Sequence, residues 1–228
     1  MKKKLISNLD ATFIESSLKD DGLMEEWLNF GANINARDCN GMTALMIASC
    51  NGEYKVAKKL IEKGASVNII NEINKKTALI YAIEFENIEI VNLLLSCGAS
   101  VRVKSTLGDI PIMMAACRGR VDIMESLVKY WADVNTQDSG GKTVLMYAVL
   151  SNSDAVEYLL NQGADIDKQD NDGNTALMIA ATAPQCGTLT KLLEYGADVN
   201  IKNKKGKSAL DYANKADVRN LLIKYVVN

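Results

Sequence analysis

The chain has 228 residues, 48% of them hydrophobic, with 26 basic against 28 acidic side chains and a formal net charge of -2. That balance excludes a global field favouring nucleic acid or a membrane surface, and no segment approaches the roughly 18 consecutive apolar residues that span a bilayer. Histidine, the usual general acid and base, is absent, and the five cysteines, Cys39, Cys50, Cys97, Cys117 and Cys186, never take a Cys-x-x-Cys spacing, which argues against a disulfide framework and a zinc site.

Lys2, Lys3 and Lys4 are followed by Ile6-Ser7-Asn8-Leu9-Asp10 rather than by an apolar run, so the start reads as a solvated terminus and not as a secretory signal. From Leu5 to Phe30 the pattern predicts a pair of helices. Phe13, Ile14 and Leu18 fall at helical spacing, Asp20-Asp21-Gly22 interrupts, and Leu23, Met24, Trp27 and Leu28 resume. Glu15, Lys19, Glu25 and Glu26 charge the other face, as an end unit with one side in water requires.

The first full unit runs from Asp38-Cys39-Asn40-Gly41-Met42 into Thr43-Ala44-Leu45-Met46-Ile47-Ala48, turns at Asn51-Gly52, and continues through Val56, Leu60 and Ile61 to Gly64-Ala65-Ser66-Val67-Asn68. Thr43 can accept a backbone N–H as a helix N-cap, and Ala44 and Ala48 let a neighbouring helix approach closely. Asn-Gly tolerates the positive φ of a tight turn. Gly64 stands where a second helix ends in a left-handed residue.

The opening recurs at Thr77, Ile110, Thr143, Thr175 and Ser208, at spacings of 34, 33, 33, 32 and 33 from Thr43 onward. With its Gly-Ala hinges at Gly31, Gly64, Gly98, Gly163 and Gly196, this resembles the ankyrin repeat, of period 33 and opening Thr-Pro-Leu-His-x-Ala. The resemblance implies an all-α solenoid of stacked helix-turn-helix units joined by β-turn or hairpin loops, a right-handed curved array that forms one domain over 1–228. Its units are an N-terminal cap at 5–37, repeats at 38–70, 71–104, 105–137, 138–169 and 170–202, and a C-terminal cap at 203–228, where Val218, Leu221, Leu222 and Ile223 give an amphipathic helix. Cys50 and Cys117, equivalent positions two units apart, then lie too far apart for a disulfide. Reduced surroundings follow, and the chain is expected in the cytoplasm; a secreted effector, or export with a signal peptide absent from this sequence, is the alternative. Its preference for Lys over Arg, with abundant Asn and Ile, resembles ankyrin proteins of bacteria or other organisms of low genomic G+C content.

Departures from the family pattern are informative. Met46, Ile80, Met113, Met146, Met178 and Asp211 stand where the family has His, so an apolar row replaces a polar one. Core packing is the expectation for it, a soft binding surface the alternative. In the middle unit Ile110 removes the N-cap ahead of Pro111, Arg102 replaces an Asn, and Trp131 replaces the hinge Gly. A Trp in left-handed conformation costs roughly 1–2 kcal/mol, so that turn is expected to end differently, with Trp131 tucked under its neighbour or forming part of a site.

Two stretches imitate phosphate loops, Gly140-Gly141-Lys142-Thr143 and Lys205-Gly206-Lys207-Ser208, but the first glycine of such a loop would fall on Thr136 or Ile201. Asp165, Asp167, Asp170 and Asp172 suggest calcium, yet no Glu follows at loop spacing. No catalytic residue, cofactor or metal site is expected. The resemblance places a protein partner on the concave surface of turn tips and first-helix edges. Met42, Phe85, Leu107, Asp109, Arg118, Tyr130, Trp131, Lys142 and Leu150 are the candidate contacts, an apolar centre with aromatic and Arg anchors. The expected function is a non-catalytic, monomeric interaction module acting as adaptor or effector on a protein, with no nucleic acid and no membrane insertion; a permanently bound structural or inhibitory subunit is the alternative.

Overall fold

The threonines that open the repeats do cap their helices. Thr43, Thr77, Thr143 and Thr175 accept from the backbone N–H three residues on, in Met46, Ile80, Met146 and Met178, at 3.2–3.4 Å. The computed structural model describes residues 2–17, 23–106, 108, 110–182 and 187–226, with the helical residues 2–8 and 226 described by backbone alone. Among these residues all regular structure is helical, apart from an isolated antiparallel bridge between Gln137 and Thr143. The chain divides into two compact units, Met1–Pro111 and Ile112–Asn228.

The first unit holds α1 (Lys2–Ser17), α2 (Met24–Asn29), α3 (Ala44–Asn51), α4 (Tyr54–Glu62), α5 (Ala78–Glu84) and α6 (Ile88–Ser96). Residues 18–22, where the break between α1 and α2 is expected, lie outside the described residues. Fully buried Phe13 and buried Met24 pin the first pair together. α3 packs on both α4 and α5. Its Ala44 and Ala48, like Ala78 and Ala82 of α5, are almost wholly buried, because a methyl side chain lets helix axes close to contact distance. Val56, Leu60, Ile90, Val91 and Leu94 of α4 and α6 complete the core.

In the second unit the pairs are α7 (Pro111–Cys117, whose first residue falls at the unit boundary) and α8 (Val121–Lys129), α9 (Val144–Ala148) and α10 (Ser153–Asn161), α11 (Ala176–Thr182) and α12 (Gly187–Glu194), and α13 (Ala209–Tyr212) and α14 (Ala216–Val226). Val218 and Leu222 bury one side of α14 while Ile223 stays 42% exposed. The apolar row in place of the family's His is core: Met46, Ile80, Met113, Met146 and Met178 are all buried, and only Asp211, in the last unit, is exposed.

The second helices α2, α4, α6, α8, α10 and α12 all end in the same pair of hydrogen bonds. In the first full repeat Gly64 N–H donates to Ile61 O and Ala65 N–H to Leu60 O, both at 2.9 Å, with Gly64 at φ +95°. This is the Schellman arrangement, which needs a left-handed residue. Trp131 corrects the expectation drawn from its size. It sits at φ +68°, donates to Val128 O at 2.9 Å, and is followed by Ala132 donating to Leu127 O at 3.0 Å. The helix ending is the common one, and the indole is 83% exposed rather than tucked away. Two terminal hydrogen bonds and burial of Ala132 hold the backbone where Gly would sit without strain.

Candidate functional site

Four of the hairpin tips are each folded by one Asx side chain. Asp38 Oδ1 accepts from Asn40 N–H at 2.9 Å and Met42 N–H at 2.8 Å. Asp138 does the same for Gly140 and Lys142, Asp170 for Asp172 and Asn174, and Asn203 for Lys205 and Lys207, at 2.8–3.0 Å. Neighbouring tips are stitched within each unit: Asn71 Nδ2 donates to Asn40 O (3.0 Å), Thr106 N–H to Asn74 O (2.9 Å), Asn171 N–H to Gly140 O (2.9 Å) and Lys204 N–H to Asp172 O (3.0 Å). The Asp170 and Asp172 segment that imitates a calcium loop, and both Gly-Lys-Thr/Ser segments, are these tips. Asp165 and Asp167 lie in a second ladder, where Asp165 Oδ1 accepts from Asp167 N–H at 3.3 Å and Asp167 Oδ1 from Asp198 N–H at 3.0 Å.

A tyrosine five positions into the first-helix motif anchors three tips. Tyr147 Oη donates to Asp138 Oδ2 at 2.8 Å, Asn203 Nδ2 donates to Tyr212 Oη at 2.8 Å, and Asn74 Nδ2 donates to Tyr81 Oη at 2.8 Å. Sequence reading missed these tyrosines, although their shared place in Thr-Ala-Leu-x-Tyr-Ala was the available signal. It missed Ile73 too. The tip at 71–76 carries the extra residue behind the 34-residue spacing, with Lys75 at φ +59°, and Ile73 is left 67% exposed.

On this face of the first unit Phe85, which ends α5, is 52% exposed, while Met42 is half-buried. Beside Phe85 the Lys76 ammonium meets Glu84 Oε2 at 2.7 Å and lies 5.7 Å from the Tyr81 ring centroid. Burial first, and the Glu84 carboxylate second, push the Cys50 thiol above its ordinary value, away from the thiolate form that reacts. Leu107 and Asp109 lie outside the described residues.

In the second unit Leu150 is 60% exposed, and Ser151 Oγ donates to Ala116 O at 2.8 Å, which sets Leu150 beside the turn holding exposed Arg118. Trp131 and half-buried Tyr130 do not join them. They follow α8 while Arg118 precedes it, and nine residues at 1.5 Å each separate the two ends by about 13 Å. Lys142 is exposed on its tip, at the opposite end of α9 from Leu150. The expected cluster in this unit is therefore split into three places.

The depressions lined by described residues include two of different size. The larger, about 540 Å³, is lined by Glu25, Tyr54, Glu62 and four lysines of the α4 region. Its charges answer one another, Lys63 with Glu25 at 2.9 Å and Lys58 with Glu62 at 3.9 Å. The smaller, about 160 Å³, lies on the first-helix face between α11 and α13 and is lined by Asn174, Met178, Ile179, Thr182 and Tyr212. Among the described residues no group of three or more His, Cys, Asp or Glu is placed to hold a metal ion, and no helix is long and apolar enough to cross a membrane.

Comparison with known proteins agrees with this construction. Family profiles described as ankyrin repeats in three copies match residues 14–105 and 100–170, and one described as ankyrin repeats in many copies matches 159–213. The ankyrin repeat domain of human ASB11 superposes with a TM-score of 0.80 at 29% identity, covering 93% of this chain and 96% of that one. Among curated proteins, the B-cell lymphoma 3 protein homolog of Mus musculus is 28% identical over 124 residues, 54% of this chain and 28% of that protein. The ankyrin repeat and KH domain-containing protein mask-1 of Caenorhabditis elegans is 35% identical over 108 residues, 47% of this chain and 4% of that protein. The L-asparaginase of Dirofilaria immitis is 31% identical over 115 residues, 50% of this chain and 19% of that protein. The chain thus spans less than a third of the length of these curated relatives. Ankyrin repeats are, as a family, protein–protein interaction modules, and with profiles matching from residue 14 to residue 213 this chain belongs to the ankyrin-repeat family.

Proposed function

We propose that the chain is a non-catalytic, monomeric module that binds a protein partner through hairpin tips and first-helix edges, with Phe85 as an apolar anchor in the first unit and, in the second, Leu150 as an apolar anchor and Arg118 and Lys142 as polar ones. The carrying observation is the exposure of Phe85 (52%) and Leu150 (60%) at first-helix ends, where the stacking of repeats makes no use of them. Large side chains held in water on a rigid scaffold are what partner hot spots are made of. The non-catalytic reading is supported by the absence of His and by tip carboxylates already engaged in turn hydrogen bonds. The match to an L-asparaginase spans 19% of that enzyme, too little to bring its activity with it.

The test is affinity capture from a lysate of the source organism, comparing the intact chain with a Phe85→Asp, Leu150→Asp variant of matched circular dichroism. A partner held by the first and lost by the second supports the reading. Retention by both places the contact elsewhere. A partner that co-purifies in fixed stoichiometry and cannot be exchanged favours the permanently bound subunit instead.

A further inference from the structure

We propose that the last two repeats dock an acidic peptide segment of the partner, with one apolar side chain seated between α11 and α13 and its flanking carboxylates on the lysines of the 202–207 tip. This rests on the protein-binding reading above and names the chemistry of what is bound.

The cleft there, about 160 Å³, has room for one apolar side chain against Met178, Ile179 and the Tyr212 ring. Its polar rim is already satisfied. Buried Asn203 donates from Nδ2 to Asn174 Oδ1 at 2.7 Å and to Tyr212 Oη at 2.8 Å, so a single amide ties both walls to the tip. A peptide entering it finds walls that need no reorganisation, which removes part of the ordering cost of binding. Asn203 also shapes the neighbouring turn, and the result is an exposed finger carrying Lys202, Lys204, Lys205 and Lys207. Lys207 Nζ lies 5.6 Å from the Tyr212 ring centroid, at the edge of the cleft.

The acidic groups facing this finger are largely engaged. Asp170 accepts from Asp172 and Asn174, and Asp211 accepts from Ser208 N–H and Oγ, which hold its carboxyl below the ordinary value with Lys202 and Lys207 adding to the effect. Among the described residues, the ion pairs of this unit are Arg120 with Asp122 and Lys191 with Glu157 and Glu194, and they use none of the four lysines. Cationic tip and apolar cleft together fit a segment with acidic residues on either side of a Leu, Ile, Met or Phe. A long nucleic acid fits less well, since Asp198 of the same repeats, with Asp165 and Asp167 of the preceding one, lines another edge and would repel it.

A phage-displayed random peptide library selected on the full chain tests this, followed by fluorescence anisotropy of the enriched peptides at low and high salt. The expected pool is enriched in Asp and Glu around one apolar residue. Its affinity falls about tenfold or more in Lys204→Glu, Lys205→Glu, Lys207→Glu and in Ile179→Asp, and also weakens with added salt. The triple lysine variant changes only surface positions and carries the test should Ile179→Asp fail to fold. A pool no more acidic than the unselected library, no enrichment at all, binding unchanged by the lysine reversals, or a labelled single-stranded oligonucleotide bound through the same lysines would each overturn the proposal. Neutral peptides lost by Phe85→Asp, Leu150→Asp would overturn it while leaving the protein-binding reading in place.

Discussion

Tyr147 Oη donates to Asp138 Oδ2 at 2.8 Å, while Asp138 Oδ1 accepts from the N–H groups of Gly140 and Lys142. One carboxylate thus folds a hairpin tip with one oxygen and fastens it to the first helix with the other. Removing the phenol in Tyr147→Phe is expected to lower stability by about 1 kcal/mol. It should also speed amide exchange at Gly140 and Lys142 more than in the α10 core, as hydrogen-exchange mass spectrometry would show. Equal acceleration everywhere would mean that the bond supports the whole unit and not the tip.

Trp131 occupies a left-handed backbone position and gives little of its surface to packing, being 83% exposed. Trp131→Gly is therefore expected to stabilise the isolated chain, by about 1 kcal/mol, as the cost of positive φ is relieved. Urea unfolding followed by circular dichroism measures this as a raised midpoint. A lowered midpoint would show that the indole packs in solution.

Glycines with similar φ differ in what surrounds them. A Cβ on Gly163 meets nothing within 4 Å, whereas on Gly119 it would lie 2.1 Å from Asn152 Nδ2. Asn152 Oδ1 accepts from Ala155 N–H at 2.8 Å and caps α10. Gly163→Ala should cost about 1 kcal/mol from backbone strain alone, and Gly119→Ala about 1 kcal/mol more as that cap is displaced. Chemical denaturation of the two variants side by side decides it; equal losses would mean that Asn152 swings aside freely.

Asp167 has its carboxyl raised above the ordinary value, chiefly by burial, with Asp198 and Asp165 adding like charge. For an acid whose folded-state value is raised, protonation favours the fold. Its stabilising contribution is full below the unfolded value and is lost as pH rises through the folded one. Asp167→Asn should then raise the denaturation midpoint at neutral pH, and the advantage should shrink as pH falls into the ordinary carboxylate range. The amide oxygen can still accept from Asp198 N–H, as the Asn35 and Asn135 side chains do at the equivalent positions for Ser66 and Asp165. A pH-independent difference would remove charge as the cause.

Phe85 and Trp131 mark how far the sequence could be read. Both are side chains that the repeat pattern does not require, and both are exposed. Phe85 ends α5 as its register predicts, but Trp131 was expected to force a different helix ending and does not. Size and chirality argue against Trp in that conformation; what overrides them is the hydrogen-bond pair at the helix end and the buried Ala132 behind it. Grouping Arg118 with Tyr130 and Trp131 also failed, because nearness in sequence spans a whole helix there.

The period near 33, the Thr caps, the buried apolar row from Met46 to Met178 and the left-handed glycines were determined by sequence alone. Each is fixed within one unit by hydrogen bonds and helical register, and repetition makes it legible. Only the tertiary structure decided that Ile73 stands in water and that Asn203 joins Asn174 to Tyr212 beside a cleft. The physical reason is range. Exposure and cross-repeat hydrogen bonds depend on a neighbour some thirty residues away, and that neighbour is set by stacking, which no single repeat encodes.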